Sequence, residues 1–508
     1  MRVASPVCYV FLVAVGPLLA ASPSEAEDAP ASRPNVLMIV VDDMRAELGC
    51  YGDAHIVSPN LDALAARGTL FERAYCQQAV CNPSRASTLT GLYPSTLGIW
   101  DLPTHFRQRR KDIVTLPQAF TNSGYVTRGI GKVFHNWTQD RYRGDARSWS
   151  LPQALHYANH GDDVPHVGLI PPSRIEMPKV TIHDVPDEAY LDGRVAALGV
   201  DSLEAFAQTG EPFFLACGFW KPHSPFNAPA QYWNLYDFDD ITDPDPAKRP
   251  KDVPGIAMHD SREIRRGFRD RPGNRPTAEE ARRLRHGYYA AISFADAQIG
   301  KLLDALDRTG LAENTIVVFW SDHGYHLGEK TLWAKTSNFE LDARVPMIVA
   351  LPDALRGSAA GSGGQRTDAL VELVDLYPTL CDLAAIDPPH ELDGDSLAPL
   401  LRGKANAAQS DDDAAAFTWH PRPAYPVEGT DPKAIGWSMR TDRYRLTEWR
   451  AFDDGELRAV ELYDHDADAD EMANIAAERP EVVERLRPRL DAWRQTAHLP
   501  SVNDDRDE

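Results

Sequence analysis

Four short runs of continuous hydrophobic residues punctuate the chain, each too short for a helix and each closed by polar or turn-forming residues. They are PNVLMIVVDD (residues 34–43), PFFLACGF (212–219), NTIVVFWSDHG (314–324) and VPMIVALP (345–352). Such runs suit strands buried on both faces, as in a parallel sheet covered by helices. Residues 277–308 instead keep an apolar stripe at helical spacing and predict a long amphipathic helix. Strands alternating with helices predict an α/β fold with a large, mainly parallel sheet flanked by helices. Ligands of such sheets lie beyond the carboxyl ends of the strands. Two of the runs end in acid at that place, in Asp42-Asp43 and in Asp322-His323.

Elsewhere the pattern weakens. Residues 227–275 are rich in Pro, Asp and Arg with little periodicity, and read as a long surface insertion. Residues 405–415, with three consecutive acids among small residues, read as a linker or loop. Beyond it, WSMRTDRYRLTEWR (437–450) and AVELYDHDADADEMANIA (459–476) predict an antiparallel hairpin and a turn, and 480–496 an amphipathic helix. The expected organisation is a larger α/β domain over 34–390 and a smaller α+β domain over 391–508. Residues 1–26 precede both as a cleaved signal peptide: Arg2 is basic, 7–21 are apolar, and small residues follow. Export to the periplasm or the exterior is therefore expected. Cys8 precedes most of the apolar region, so it does not read as a lipid-attachment site. No other run is long enough for a membrane helix, and no membrane association is expected.

Charge narrows the partners. The 508 residues carry a formal net charge of −22, which argues against nucleic acid as a ligand. It also repels anionic substrates, so a pocket for an anion would need its own cluster of cations. Beyond the signal peptide, Cys50, Cys76, Cys81, Cys217 and Cys381 remain. An odd, scattered set is no disulfide framework, although Cys50 could pair with Cys76.

Six motifs carry chemistry. Adjacent acids at a strand end, Asp42 and Asp43, repel each other unless a cation holds them. Asp322 and His323 could complete an oxygen-rich site. Carboxylates favour Ca²⁺ or Mg²⁺, and the single imidazole leaves the metal open. In GKVFH, Lys132 and His135 could share one face and offer a cation beside a proton-transfer group. KPHSPF puts Lys221 and His223 near a strand end, and WAKTSNF supplies Lys335. With Arg85 these residues would form the positive pocket that the acidic chain otherwise lacks. Taken singly, each motif is more commonly a solvated turn or a packed side chain. Cys81 opens CNPSRASTLTG, read as a tight turn. Most free cysteines are small buried hydrophobes, but a second reading makes Cys81 the precursor of something more reactive than a thiol.

The order C-x-P-S-R followed by L-T-G, here Cys81, Pro83, Ser84, Arg85, Leu89, Thr90 and Gly91, resembles the sulfatase signature. VDDMRAELGCYGD, GKVFH, KPH, SDHGYHLGEK and WAKTSNF resemble, in that order, the iduronate-2-sulfatase-like branch of that family within the alkaline phosphatase superfamily. The resemblance implies that Cys81 is oxidised to Cα-formylglycine by a formylglycine-generating or an anaerobic sulfatase-maturing enzyme. It further implies that one hydroxyl of the hydrated aldehyde attacks sulfur and displaces the alcohol, and that the other then expels sulfate. A serine, with one hydroxyl, could not do the second step. Asp42, Asp43, Asp322 and His323 match the metal ligands, residue 81 completes the shell, and Ca²⁺ is expected ahead of Mg²⁺. Arg85 is expected to orient the diol, and Lys132 and Lys335 to hold sulfate oxygens. His135 is expected to take the diol proton, and His223 to bind sulfate and assist the leaving alcohol. Thr90 and Gly91 are expected only to serve helix packing.

The implied substrate is a sulfated saccharide. Two other readings stand beside it: a phosphodiester or phosphonate monoester hydrolase on the same fold, and a non-catalytic sulfated-glycan binder with Cys81 unmodified. Loops 227–275 and 145–186 should hold specificity. Trp137 and Trp149 could face a sugar or could pack in the core. Asn136-Trp137-Thr138 is a glycosylation sequon overlapping the lysine–histidine cluster.

Overall fold

The largest sheet is built around the first hydrophobic run. In the computed structural model, described for residues 33–135, 144–156, 171–242, 248–357, 363–404, 414–426 and 430–496, strand β1 (Asn35–Asp42) is buried at every position. The other strands of its sheet are β2 (Thr69–Tyr75), β3 (Val126–Gly131), β4 (Phe213–Pro222), β5 (Thr315–Ser321), β6 (Arg344–Ala350) and β7 (Gln365–Glu372). They lie in the order β7-β2-β6-β5-β1-β4-β3. Neighbours run parallel except at β6, which is antiparallel to both β2 and β5. The four predicted hydrophobic runs are thus all strands of one mainly parallel sheet. The last of them is the strand that runs backwards, a direction its apolar pattern does not encode.

Helices cover both faces. Helix α1 spans Cys81–Thr90, α2 Leu191–Thr209 and α3 Ala278–Arg308. The 31 residues of α3 match the predicted stripe, and Thr277 with Glu280 closes its start in a capping box. Cys81 does not sit in a tight turn, as expected, but is the first residue of α1. Pro83 is tolerated there because first-turn amides need no partner within the helix. Thr90 bonds back to the Ala86 carbonyl, and Gly91, at φ 71°, ends the helix in the left-handed conformation.

A second sheet of four antiparallel strands follows: β8 (Ala416–Arg422), β9 (Ala434–Arg440), β10 (Tyr444–Ala451) and β11 (Leu457–Asp464). The predicted hairpin is β9–β10. Helix α4 (Pro480–Thr496) packs Val482, Leu486, Leu490 and Trp493 against Trp419, Trp437 and Leu446 of this sheet. Residues Pro34–Glu508 form one compact unit. A backbone bond ties the second sheet to the segment between β2 and α1, since the Trp419 amide donates to the Gln77 carbonyl.

The segment 227–275 is not only a surface insertion. Trp233, Ile264 and Phe268 are buried in the main core, because their apolar surface is covered by other elements rather than by periodic neighbours. Cys50 and Cys76 are both free, as are the other described cysteines. Trp149 packs in the core, edge-on to Phe134 and over Gly129. Residues 1–26, the sequon, Trp137 and most of 405–415 lie outside the described residues. No described helix is long and apolar enough to cross a membrane.

Two glycines set the spacing at the functional edge. A Cβ on Gly131 (φ 72°) would lie 2.1 Å from the Gly218 carbonyl oxygen, and one on Gly218 would lie 2.1 Å from the Lys132 carbonyl. This contact lets β3 and β4 approach and hands Lys132 to the end of the sheet. Gly218→Ala is therefore expected to destabilise the protein by about 3 kcal/mol through overpacking and to displace Lys132. Thermal unfolding beside an activity assay checks both effects.

Candidate active site

Four adjacent parallel strands end at one edge, and each delivers chemistry there. Strand β3 leads into Lys132 and His135, β4 into His223, β1 into Asp42 and Asp43, and β5 into Asp322 and His323. The register makes this unavoidable: Val41 lies opposite Ser321, Asp42 opposite Pro222, and Gly131 opposite Gly218. Helix α1 points its first residue, Cys81, at the same place, with Sγ 3.4 Å from His323 Nε2. Lys335 arrives from the loop before β6 and places Nζ 2.9 Å from both Asp43 oxygens.

Asp42 and Asp43 are fully buried neighbours whose carboxyls are shifted in opposite directions. Burial pushes the Asp42 carboxyl up, but Lys132, with Arg85 beside it, outweighs that and holds it well below the usual carboxylate range. Lys132 Nζ bonds Asp42 Oδ2 directly. For Asp43, burial wins over Lys335, and Glu263, Asp42 and Asp322 add to it, so its carboxyl is raised well above the ordinary value. Asp43 also adopts φ 69°, unusual for a non-glycine residue. Its amide donates to Asp322 Oδ1 (3.1 Å), and Tyr288 of α3 donates its hydroxyl to the Asp43 carbonyl (2.7 Å). Such over-determination is how strained backbone persists at functional sites.

Arg85 is the hub. Its Nε donates to Asp322 Oδ2 at 2.8 Å, and Nη2 to Asp42 Oδ1 at 3.2 Å and the Val41 carbonyl at 3.3 Å. Nη1 serves the Lys132 carbonyl and, at 3.1 Å, that of Val133. The five N–H groups of a guanidinium thus meet five acceptors drawn from the ends of three strands. In this state Arg85 spends its donors on Asp42, Asp322 and the backbone.

The histidines are neutral for a common reason. Burial, then the charge of Lys132, pushes His135 well below its ordinary value, and burial, then Lys335, does the same to His223. His223 Nδ1 lies 2.5 Å from the Ser224 carbonyl, which makes it the protonated nitrogen and turns Nε2 toward Asp43 (3.7 Å) and Glu263 (3.9 Å). His323 behaves likewise. Its Nδ1 donates to the Gly324 carbonyl at 3.0 Å, and burial keeps the ring neutral. The Nε2 lone pair then faces Asp43 Oδ1 at 3.4 Å and Asp322 Oδ1 at 3.7 Å. A lone pair turned on two carboxylates is repulsive until a cation sits between them, and a carbonyl on the other ring nitrogen is the usual support of a metal-binding histidine. Donor atoms of Asp42, Cys81, Asp322 and His323 lie within 4.8 Å of one another, all buried. This donor set fits a single divalent cation.

Ten of the residues singled out in the sequence therefore converge: Asp42, Asp43, Cys81, Arg85, Lys132, His135, His223, Asp322, His323 and Lys335. Lys221 does not join them. It turns Nζ onto the Pro225 and His223 carbonyls (2.6 and 3.3 Å) and shapes the turn that carries His223. One acid of the site had no signal in the sequence. Glu263, from the short helix Arg262–Arg265, lies 2.7 Å from Lys335 Nζ. It was one charge among many in an aperiodic segment. Tyr288, inside the apolar stripe of α3, was equally hidden.

The family profile described as Sulfatase matches residues 34–386, and that described as N-sulphoglucosamine sulphohydrolase, C-terminal, matches 328–496. Iduronate 2-sulfatase from Mus musculus is 35% identical over 506 residues, covering 87% of this chain and 90% of the relative. Among solved structures, the phosphonate monoester hydrolase from Silicibacter pomeroyi superposes with a TM-score of 0.73 at 24% identity, covering 91% of this chain and 96% of that one. A structure solved in complex with its substrate D-glucosamine-2-N,6-O-disulfate gives 0.67 at 22%, covering 94% and 99%. These two share the fold. With strand ends, signature helix and sequence likeness pointing one way, the chain belongs to the sulfatase family and is an iduronate-2-sulfatase-like sulfuric ester hydrolase.

Proposed function

We propose that this sulfatase removes sulfate from a sulfated saccharide, using a Cα-formylglycine made from Cys81 and one divalent cation, Ca²⁺ ahead of Mg²⁺. The observation that carries the reading is the placement of Cys81. Its thiol opens α1 among the metal-type donors, yet burial, and after it the charge of Asp42, pushes the thiol well above its ordinary value. A helix start usually favours the thiolate; here the thiol stays protonated and is a poor nucleophile. An aldehyde at the same position needs no thiolate, since its hydrate brings two hydroxyls. Conversion would be done by a formylglycine-generating or an anaerobic sulfatase-maturing enzyme. The names of the iduronate 2-sulfatase relatives support the saccharide.

Asp42, Asp43, Asp322 and His323 would hold the cation, with residue 81 completing the set, and hard oxygen donors suit Ca²⁺ or Mg²⁺. The bound cation would supply Lewis-acid charge at residue 81 and at sulfate. Lys132 and Lys335 would hold sulfate oxygens as point charges. Both now pair with Asp42 and Asp43, so the site suits a cation and an anion that enter together. His135, neutral, takes the proton of the residue-81 hydrate. His223 serves the leaving alcohol when Nε2, facing Asp43 and Glu263, carries a proton. Arg85 orients Asp42 and Asp322 rather than touching substrate. By the same reading, residues 1–26 are a cleaved signal peptide, the enzyme is secreted or periplasmic, 34–390 form the catalytic domain and 391–508 the smaller one.

Sulfate release from a panel of sulfated disaccharides, and from paired sulfate and phosphate esters of one alcohol, tests the reading. Chelation is expected to lower the rate at least about 100-fold, with Ca²⁺ restoring it. A faster phosphate ester would favour the phosphodiester or phosphonate reading. Glycan binding without turnover would favour the non-catalytic one.

A further inference from the structure

We propose that Glu263, carried by the segment 227–275, is the positioning residue that aims Lys335 and ties it to His223. The inference rests on the sulfate-binding role given to Lys335 above. An ammonium on a flexible four-carbon stem has no preferred aim of its own. Lys335 meets three oxygens, which match the three donors of its ammonium: both of Asp43 at 2.9 Å and Glu263 Oε2 at 2.7 Å. Asp43 and Glu263 together fix where Nζ sits, and both also face His223 Nε2, at 3.7 and 3.9 Å.

The other oxygen of Glu263 is equally committed. Oε1 accepts from the Ser224 hydroxyl at 2.9 Å and the Tyr325 hydroxyl at 3.1 Å, and lies 3.9 Å from His223 Nε2. One carboxylate therefore connects the turn after β4 with the Lys335 loop. That loop needs holding, because Lys330, Thr331, Ala334 and Thr336 all have positive φ (53°, 65°, 71° and 94°). The segment supplies two further ties. Ser261 Oγ accepts from the Trp333 amide at 2.9 Å, and Arg265 donates to the Thr331 carbonyl at 3.3 Å. Three residues spaced along 261–265 thus grip three positions in 331–335. Substrate specificity in loop 227–275 would then act on the lysine itself, not only on the rim of the pocket.

Glu263→Gln keeps the shape and removes the charge, and Glu263→Asp keeps the charge on a shorter arm. Glu263→Gln is expected to raise KM for a sulfate ester and the inhibition constant of inorganic sulfate about tenfold, with a smaller change in kcat; a lower melting temperature is expected beside it, since a buried ion pair loses one partner. On a Lys335→Met background the same change should add little, because both act through one ammonium. Partial recovery in Glu263→Asp supports the assignment. Unchanged KM and sulfate inhibition in Glu263→Gln, or full additivity with Lys335→Met, overturns it. If Lys335→Met itself leaves catalysis and sulfate inhibition intact, the sulfate-binding role of Lys335 fails, and the inference falls for that separate reason.

Discussion

Cys81→Ala is expected to abolish sulfate-ester hydrolysis, lowering kcat by at least about 10⁴-fold, while the melting temperature stays within about 3 °C of the parent. The side chain is small and buried at the start of α1, and among the described residues its sulfur makes one hydrogen-bond contact, to His323. Its removal leaves the ion pairs of Asp42, Asp43, Arg85, Lys132 and Lys335 intact, so the fold has little to lose. On the proposed mechanism the reaction loses its nucleophile, since residue 81 is the helix-start side chain among the donors of Asp42, Asp322 and His323. Mass spectrometry of the peptide 74–85 from protein made in its native host supplies the complement. The sulfur of Cys81 should be replaced by an aldehyde oxygen. Residual turnover in the alanine variant close to that of the parent would remove residue 81 from the mechanism.

Arg85→Met should do the reverse and damage the scaffold first. The guanidinium is fully buried and shared between Asp42 and Asp322, themselves fully buried. Breaking a buried ion pair from one side leaves uncompensated charge and typically costs about 3–5 kcal/mol. Here one substitution takes a partner from two carboxylates and three backbone carbonyls. A fall in melting temperature of about 5 °C or more is expected at a fixed scan rate, together with loss of activity. Arg85→Lys should not rescue it, since three donors on a point charge cannot serve five acceptors laid out for a planar fork. A methionine variant as stable as the parent would show that the strand ends hold one another without the hub.

Much of this site was readable because it is local. A buried parallel strand is a continuous apolar run, and the residue at which the run stops is the residue that reaches the ligand edge. Asp42, Asp43, Asp322 and His323 could be placed on that ground alone. The signature from Cys81 to Gly91 is a contiguous string and needed no structure to be seen. The long helix α3 and the β9–β10 hairpin followed from periodicity.

The sequence by itself therefore determined the strands, the acids at their ends, the signature around Cys81 and the family. Only the tertiary structure decided that β6 runs antiparallel, that Arg85 spends its donors on protein, that Lys221 faces away, that Trp149 packs in the core and that Glu263 enters the site. The reason is physical. Apolar period and motif spacing record what a residue does within its own element. Strand direction, ion-pair choice and the docking of an aperiodic segment depend on partners as far away in the chain as Asp43 is from Lys335. Those partners are chosen by burial and charge compensation when the elements pack.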